Sequence, residues 1–137
     1  MDEGDRKDII IKWAELVTGQ SGDLWTVALA LIIVQILVVA TLQSSTTKAN
    51  VKLMLLMYFS AVCSFLSLLF GYFTKGAVIG GLELIVRPGG TLNLPSYPAF
   101  DALIQGVSLV VSLITFIAAF GVYRRDVSRA LLGVLGK

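Results

Sequence analysis

Asp101, Gln105, Ser108, Ser112, Thr115 and Ala119 follow one another at steps of four, three, four, three and four residues, which places all six along one face of a helix. The chemistry open to such a row is hydration rather than bond making. If several copies surround an axis, Asp101 forms an acidic ring at the mouth of a pore, and Gln105, Ser108, Ser112 and Thr115 wet its wall. A second row, Ser60, Ser64, Ser67 and Gly71, has the same spacing and reaches Lys75 four residues further on. Its members are small, and small residues three or four apart let helix backbones approach closely and exchange hydrogen bonds. We read the second row as a packing seam. For the first, a pore lining stands beside packing, because Asp101 and Gln105 are larger and more polar than packing requires. Asp101 also has a sufficient explanation as an acid near a helix start, where the dipole favours negative charge.

Bond-making chemistry finds no support. The chain contains no histidine, and so lacks the usual acid–base group at neutral pH and the commonest transition-metal ligand. Cys63 is the single cysteine and lies in an apolar stretch with no basic residue near it in sequence, so it reads as a small packing residue. Beyond the first apolar stretch the only acids are Glu83, Asp101 and Asp126, which form no carboxylate pair. Gly76, Gly80, Gly81, Gly89 and Gly90 do not fall into a phosphate-binding pattern. We therefore expect no catalytic residue, no metal site and no cofactor.

These rows lie inside apolar runs at 24–42, 53–73 and 102–123, none interrupted by a charged residue. At about 1.5 Å per residue, each run is long enough as a helix to cross the ~30 Å hydrocarbon layer of a bilayer. The third run has Gln105, and the first has Gln35 at its centre, where unpartnered amides are costly, so the polar faces must turn away from lipid. The expected class is an all-α integral membrane protein with three spans. Of the 137 residues, 56% are hydrophobic, which leaves too little chain for a separate water-soluble domain or an enclosed substrate site within one protomer. Partners should then be membrane lipids and either further copies of the chain or other membrane subunits. A net charge of +2 without a basic tract gives no footprint for nucleic acid.

Two segments flank the expected three-span domain at 24–123: an N-terminal one at 1–23 and a basic one at 124–137. Within the first, 5–18 reads as an amphipathic helix with Ile9, Ile10, Trp13, Leu16 and Val17 on one face, lying along the membrane interface. Gly19 and Ser21-Gly22 are expected to end it and bend the chain. No cleavable signal peptide is apparent. The long connection at 74–97 contains Leu82-Glu83-Leu84-Ile85-Val86-Arg87, then Pro88-Gly89-Gly90 and Thr91-Leu92-Asn93-Leu94, a pattern that fits a short β-hairpin, with an irregular loop hinged at Gly80-Gly81 as the alternative. Ser96 and Pro98 mark the start of the third helix. Trp13, Trp25, Tyr123, Arg124 and Arg125 are the expected membrane-interface anchors, and the tail continues as a basic interfacial helix. Lys48, Lys52, Arg124, Arg125, Arg129 and Lys137 fall on one side of the membrane, against Arg6, Lys7, Lys12, Lys75 and Arg87 on the other. That bias puts the C-terminus in the cytoplasm and the N-terminus outside, with the plasma membrane as the expected location. Two functions fit: a small oligomeric channel or pore using the third span, or a non-catalytic structural or accessory subunit of a larger membrane complex.

Overall fold

The computed structural model of the chain describes residues 3–44, 50–86 and 97–135. They form four helices, α1 (Glu3–Ser44), α2 (Val51–Val86), α3 (Tyr97–Val122) and α4 (Arg124–Leu135). Segments Lys7–Ser44, Val51–Glu83 and Pro98–Val122 are long and apolar enough to cross a membrane. Their outward faces carry large apolar side chains such as Leu37, Phe65 and Ile114, each more than half exposed, as suits helices solvated by lipid. The three apolar helices match the expected membrane class.

One repeat organises the interior. Ala14, Ser21, Ala28, Gln35 and Leu42 are buried at uniform seven-residue steps along α1. On α2 the buried positions Leu53, Met57, Ser60, Ser64, Ser67, Gly71, Thr74 and Val78 alternate steps of four and three. Gln105, Leu109, Ser112 and Ala119 continue the pattern on α3. A seven-residue repeat sustained in this way keeps one seam facing its partners and favours left-handed supercoiling. α3 packs against α2 and α1, and α2 also packs against α1. At the end where α4 packs, the core is closed by Leu42, Leu53, Met57 and Ala119, with Val127 of α4 seated among them.

Two local expectations are corrected. α1 does not bend at Gly19 or at Ser21-Gly22: one uninterrupted helix runs from Glu3 to Ser44, so 5–18 is no separate interfacial helix. A single glycine costs a helix only about 1 kcal/mol, which packing readily offsets, and Ser21 is itself part of the seam, with its hydroxyl donating to Gly71 O at 3.3 Å. The proposed first strand of the hairpin is likewise helical through Val86, as the last turns of α2. Each residue added to an existing helix gains a backbone hydrogen bond without a new nucleation cost, and this outweighs the weak strand preference of Ile85 and Val86. The expected turn and returning strand at 88–94 lie outside the described residues, among which there is no strand.

α1 and α2 are longer than a bilayer is thick. With 42 and 36 residues, they measure about 63 and 54 Å at about 1.5 Å per residue, against ~30 Å of hydrocarbon. Because they run antiparallel, the surplus of α1 at its N-terminus and of α2 at its C-terminus extends from the same end of the bundle. At the opposite end α2 starts at a cap, where Asn50 Oδ1 accepts from the Lys52 amide at 3.0 Å. α3 and α4 are separated by Tyr123 alone. The Tyr123 amide donates to Ala119 O at 3.0 Å and the Val127 amide to Tyr123 O at 3.1 Å, so hydrogen bonding carries on across the junction.

Candidate functional site

The polar residues of the three apolar helices meet inside one chain. Near the middle of each span, Gln35 of α1, Ser60 and Ser64 of α2 and Ser112 of α3 are all fully buried. Ser60 Oγ donates to Ser112 O at 2.7 Å, and Ser112 Oγ returns the bond to Ser60 O at 2.8 Å. These reciprocal bonds need α2 and α3 backbones close together, which serine at both positions permits. With the Ser112 proton so committed, Ser64 is the donor in the 2.6 Å contact between Ser64 Oγ and Ser112 Oγ. Gln35 Nε2 then donates to lone pairs that remain on both hydroxyl oxygens, at 2.7 Å to Ser60 Oγ and 3.2 Å to Ser112 Oγ. Every hydroxyl proton of the cluster is thereby used. Gln35 Oε1 is buried and has no partner among the described residues.

A second polar layer lies toward the end where α1 and α2 extend. Gln105 Nε2 donates to Ser21 O at 3.1 Å, and Ser67 Oγ donates to Gln105 O at 3.0 Å. Trp25 Nε1 donates to Leu68 O at 2.8 Å. Main-chain carbonyls inside a helix already accept one bond, so each of these is a second bond to the same oxygen. Gly71 lies at the tightest point. A methyl group on its Cα would come within 2.6 Å of Gln105 Nε2 and 2.7 Å of Trp25 Cδ1. Just above, Lys75 Nζ stands 5.3 Å from the centre of the Trp25 ring, within range of a cation–π contact.

The sequence-derived rows are placed as follows. Ser60, Ser64, Ser67 and Gly71 all lie buried on the α2 face turned toward α1 and α3. The α3 row divides into two columns. Gln105, Ser112 and Ala119 are buried in the seam, whereas Asp101, Ser108 and Thr115 lie beside it and remain partly exposed. Thr115 Oγ1 donates to Val111 O of its own helix at 2.8 Å. Asp101 is the fifth residue of α3, one turn beyond its start at Tyr97, with Pro98 in the first turn. Of the expected anchors, Trp13 and Trp25 are half-buried, Tyr123 packs on the Leu42–Met57 cluster, and Arg124 and Arg125 are exposed.

Two participants escaped the sequence reading. Ser21 looked like a bend and Trp25 like a headgroup anchor, yet each bonds to α2. The signal available was spacing, since Ser21 stands two heptads before Gln35. Among the described residues no group of histidine, cysteine, aspartate or glutamate side chains is arranged to hold a metal. Chemically the arrangement joins three helices through polar bonds in a low-dielectric interior. Comparison of the chain with protein-family models, with curated proteins and with solved structures finds no match.

Proposed function

We propose that the chain is a non-catalytic structural or accessory subunit of a membrane assembly, built on a self-contained three-helix unit. The observation that carries this reading is the Gln35–Ser60–Ser64–Ser112 cluster, which consumes the mid-membrane hydroxyl protons within one chain. Polar groups bonded in this way stabilise a bundle and do not solvate a passing ion. In this reading the protein resides in the plasma membrane with its N-terminus outside, a placement supported by Lys52, Arg124, Arg125 and Arg129 at the other end. It works beside other membrane subunits or further copies of itself.

An oligomeric channel is the second reading, favoured by one observation. Asp101, Ser108 and Thr115 form a polar column at seven-residue spacing that the intramolecular seam leaves partly exposed. Several copies turning this column toward an axis would give a pathway with Asp101 at its mouth.

Cysteine scanning with a membrane-impermeant thiol reagent separates the readings in a Cys63→Ala background. A subunit without a pore predicts protection at both Ser108→Cys and Ser112→Cys, and purified protein that is silent in planar bilayers. Rapid labelling at Ser108→Cys, together with discrete openings that weaken in Asp101→Asn, would establish the channel instead.

A further inference from the structure

The basic end of the molecule carries a groove that the three-helix seam does not use. Arg124, Arg125, Ser128 and Arg129 line an open recess of about 480 Å³ on α4, within the ~300–1,000 Å³ of small-ligand sites. Positions i, i+1, i+4 and i+5 share one side of a helix, so three guanidinium groups and a hydroxyl are presented together. Asp126 is not among the groove's lining residues, and Val127 is turned into the bundle, where it is 4% exposed. The packing of Val127 against Leu42, Leu53, Met57 and Ala119 fixes the rotation of α4 and hence the direction in which the arginines face.

A second recess adjoins the first through Arg124 and Arg125, and is lined also by Asn50, Gly121, Val122, Tyr123 and Asp126. It leads from the arginines to the end of α3, where Val122 is 72% exposed. Cationic forks beside the exposed Val122 side chain match an amphipathic occupant better than a free anion. Guanidinium groups bind phosphate oxygens through paired hydrogen bonds, and Tyr123 marks the depth at which headgroups meet hydrocarbon.

We propose that this groove binds the phosphodiester headgroup of an anionic phospholipid, with Arg124, Arg125 and Arg129 on the phosphate, Ser128 on a neighbouring oxygen and the acyl chains along the end of α3. The site anchors α4 to the leaflet in contact with the basic end of the bundle. It is independent of whether the protein conducts.

The test uses the full chain in neutral detergent, titrated with phosphatidylglycerol and, separately, with phosphatidylcholine, with bound lipid counted by native mass spectrometry. We expect one tightly held phosphatidylglycerol per chain and no comparable site for phosphatidylcholine. Replacing all three arginines (Arg124→Gln, Arg125→Gln, Arg129→Gln) should weaken phosphatidylglycerol binding on the order of a hundredfold, and Arg129→Gln alone by about fivefold. The single variant keeps two anchoring charges and carries the test if the triple variant does not fold. Unchanged affinity in Arg129→Gln, or equal retention of both lipids by the wild type, would overturn the assignment. Displacement of bound phosphatidylglycerol by millimolar inorganic phosphate would make the ligand free phosphate and overturn the lipid.

Discussion

At the scale of single residues, the membrane interior is organised by how little room its glycine and serines leave. Gly71 is the clearest case, because its α-hydrogen faces the Gln105 amide and the Trp25 indole at distances that leave no space for carbon. Gly71→Ala should therefore destabilise the bundle by about 1–3 kcal/mol, the usual cost of forcing a methyl group into a closed interface. Gly106 on α3 is the internal control, since a methyl group there meets nothing within 4 Å. Gly106→Ala should be neutral or stabilising by up to about 1 kcal/mol through helix propensity alone. Unfolding in mixed micelles of increasing dodecyl sulfate content, followed by circular dichroism, compares the two. Equal stability of both variants would mean that α1, α2 and α3 do not meet at Gly71. The serines act differently, since interhelical hydrogen bonds in membranes average about 0.6 kcal/mol each. Their value lies in register: Ser60 and Ser112 bond each other's carbonyls only when α2 and α3 are aligned to within a fraction of a turn.

At the scale of helices, the three apolar runs and the two polar rows were legible in the sequence, and the reasons for what was not are physical. The row on α2 could be seen at Ser60–Gly71, where small residues break an apolar background. Its continuation to Leu53, Met57 and Val78 could not, because a buried leucine and a lipid-facing one have the same hydropathy. The same limit explains the divided row on α3. Spacing puts Asp101, Gln105, Ser108, Ser112 and Thr115 on one face, but which column meets α1 and α2 is decided by partners that spacing does not describe. The misjudged bend in α1 has another cause: Gly19 and Gly22 signal a break only where no neighbour supports the helix, and Ser21 between them and Trp25 just after them bond α1 to α2. Hydrogen exchange discriminates the two forms. Amides from Gly19 to Trp25 should exchange as slowly as those around Ala28, whereas a hinge would leave them as labile as a fraying terminus. For 82–86 the β-branched composition was misleading because helix elongation from an established α2 is favoured over founding an isolated hairpin.

At the scale of the whole molecule, the seam implies an order of events. Gln35, Ser21 and Trp25 of α1 bond to residues of α2, and Gln35 and Ser21 also bond to α3, all within one chain. A protomer whose interhelical bonds form within one chain, with Gln35 Oε1 and Gln105 Oε1 the buried side-chain atoms left without a partner among the described residues, can fold before it meets a partner, and any association then uses the outer surface, where Asp101, Ser108 and Thr115 lie. An obligate oligomer behaves otherwise, because its folded state gains stability by mass action as protein becomes more abundant. The dodecyl sulfate midpoint for loss of helix should therefore stay constant as the protein-to-detergent ratio is raised roughly a hundredfold. Cross-linking on the same samples reports association separately, so a constant midpoint beside rising cross-linked species describes a folded unit that assembles afterwards. A midpoint that climbs with protein content would show instead that contacts between chains complete the fold, and the intramolecular cluster around Gln35 would then be insufficient to hold three helices together.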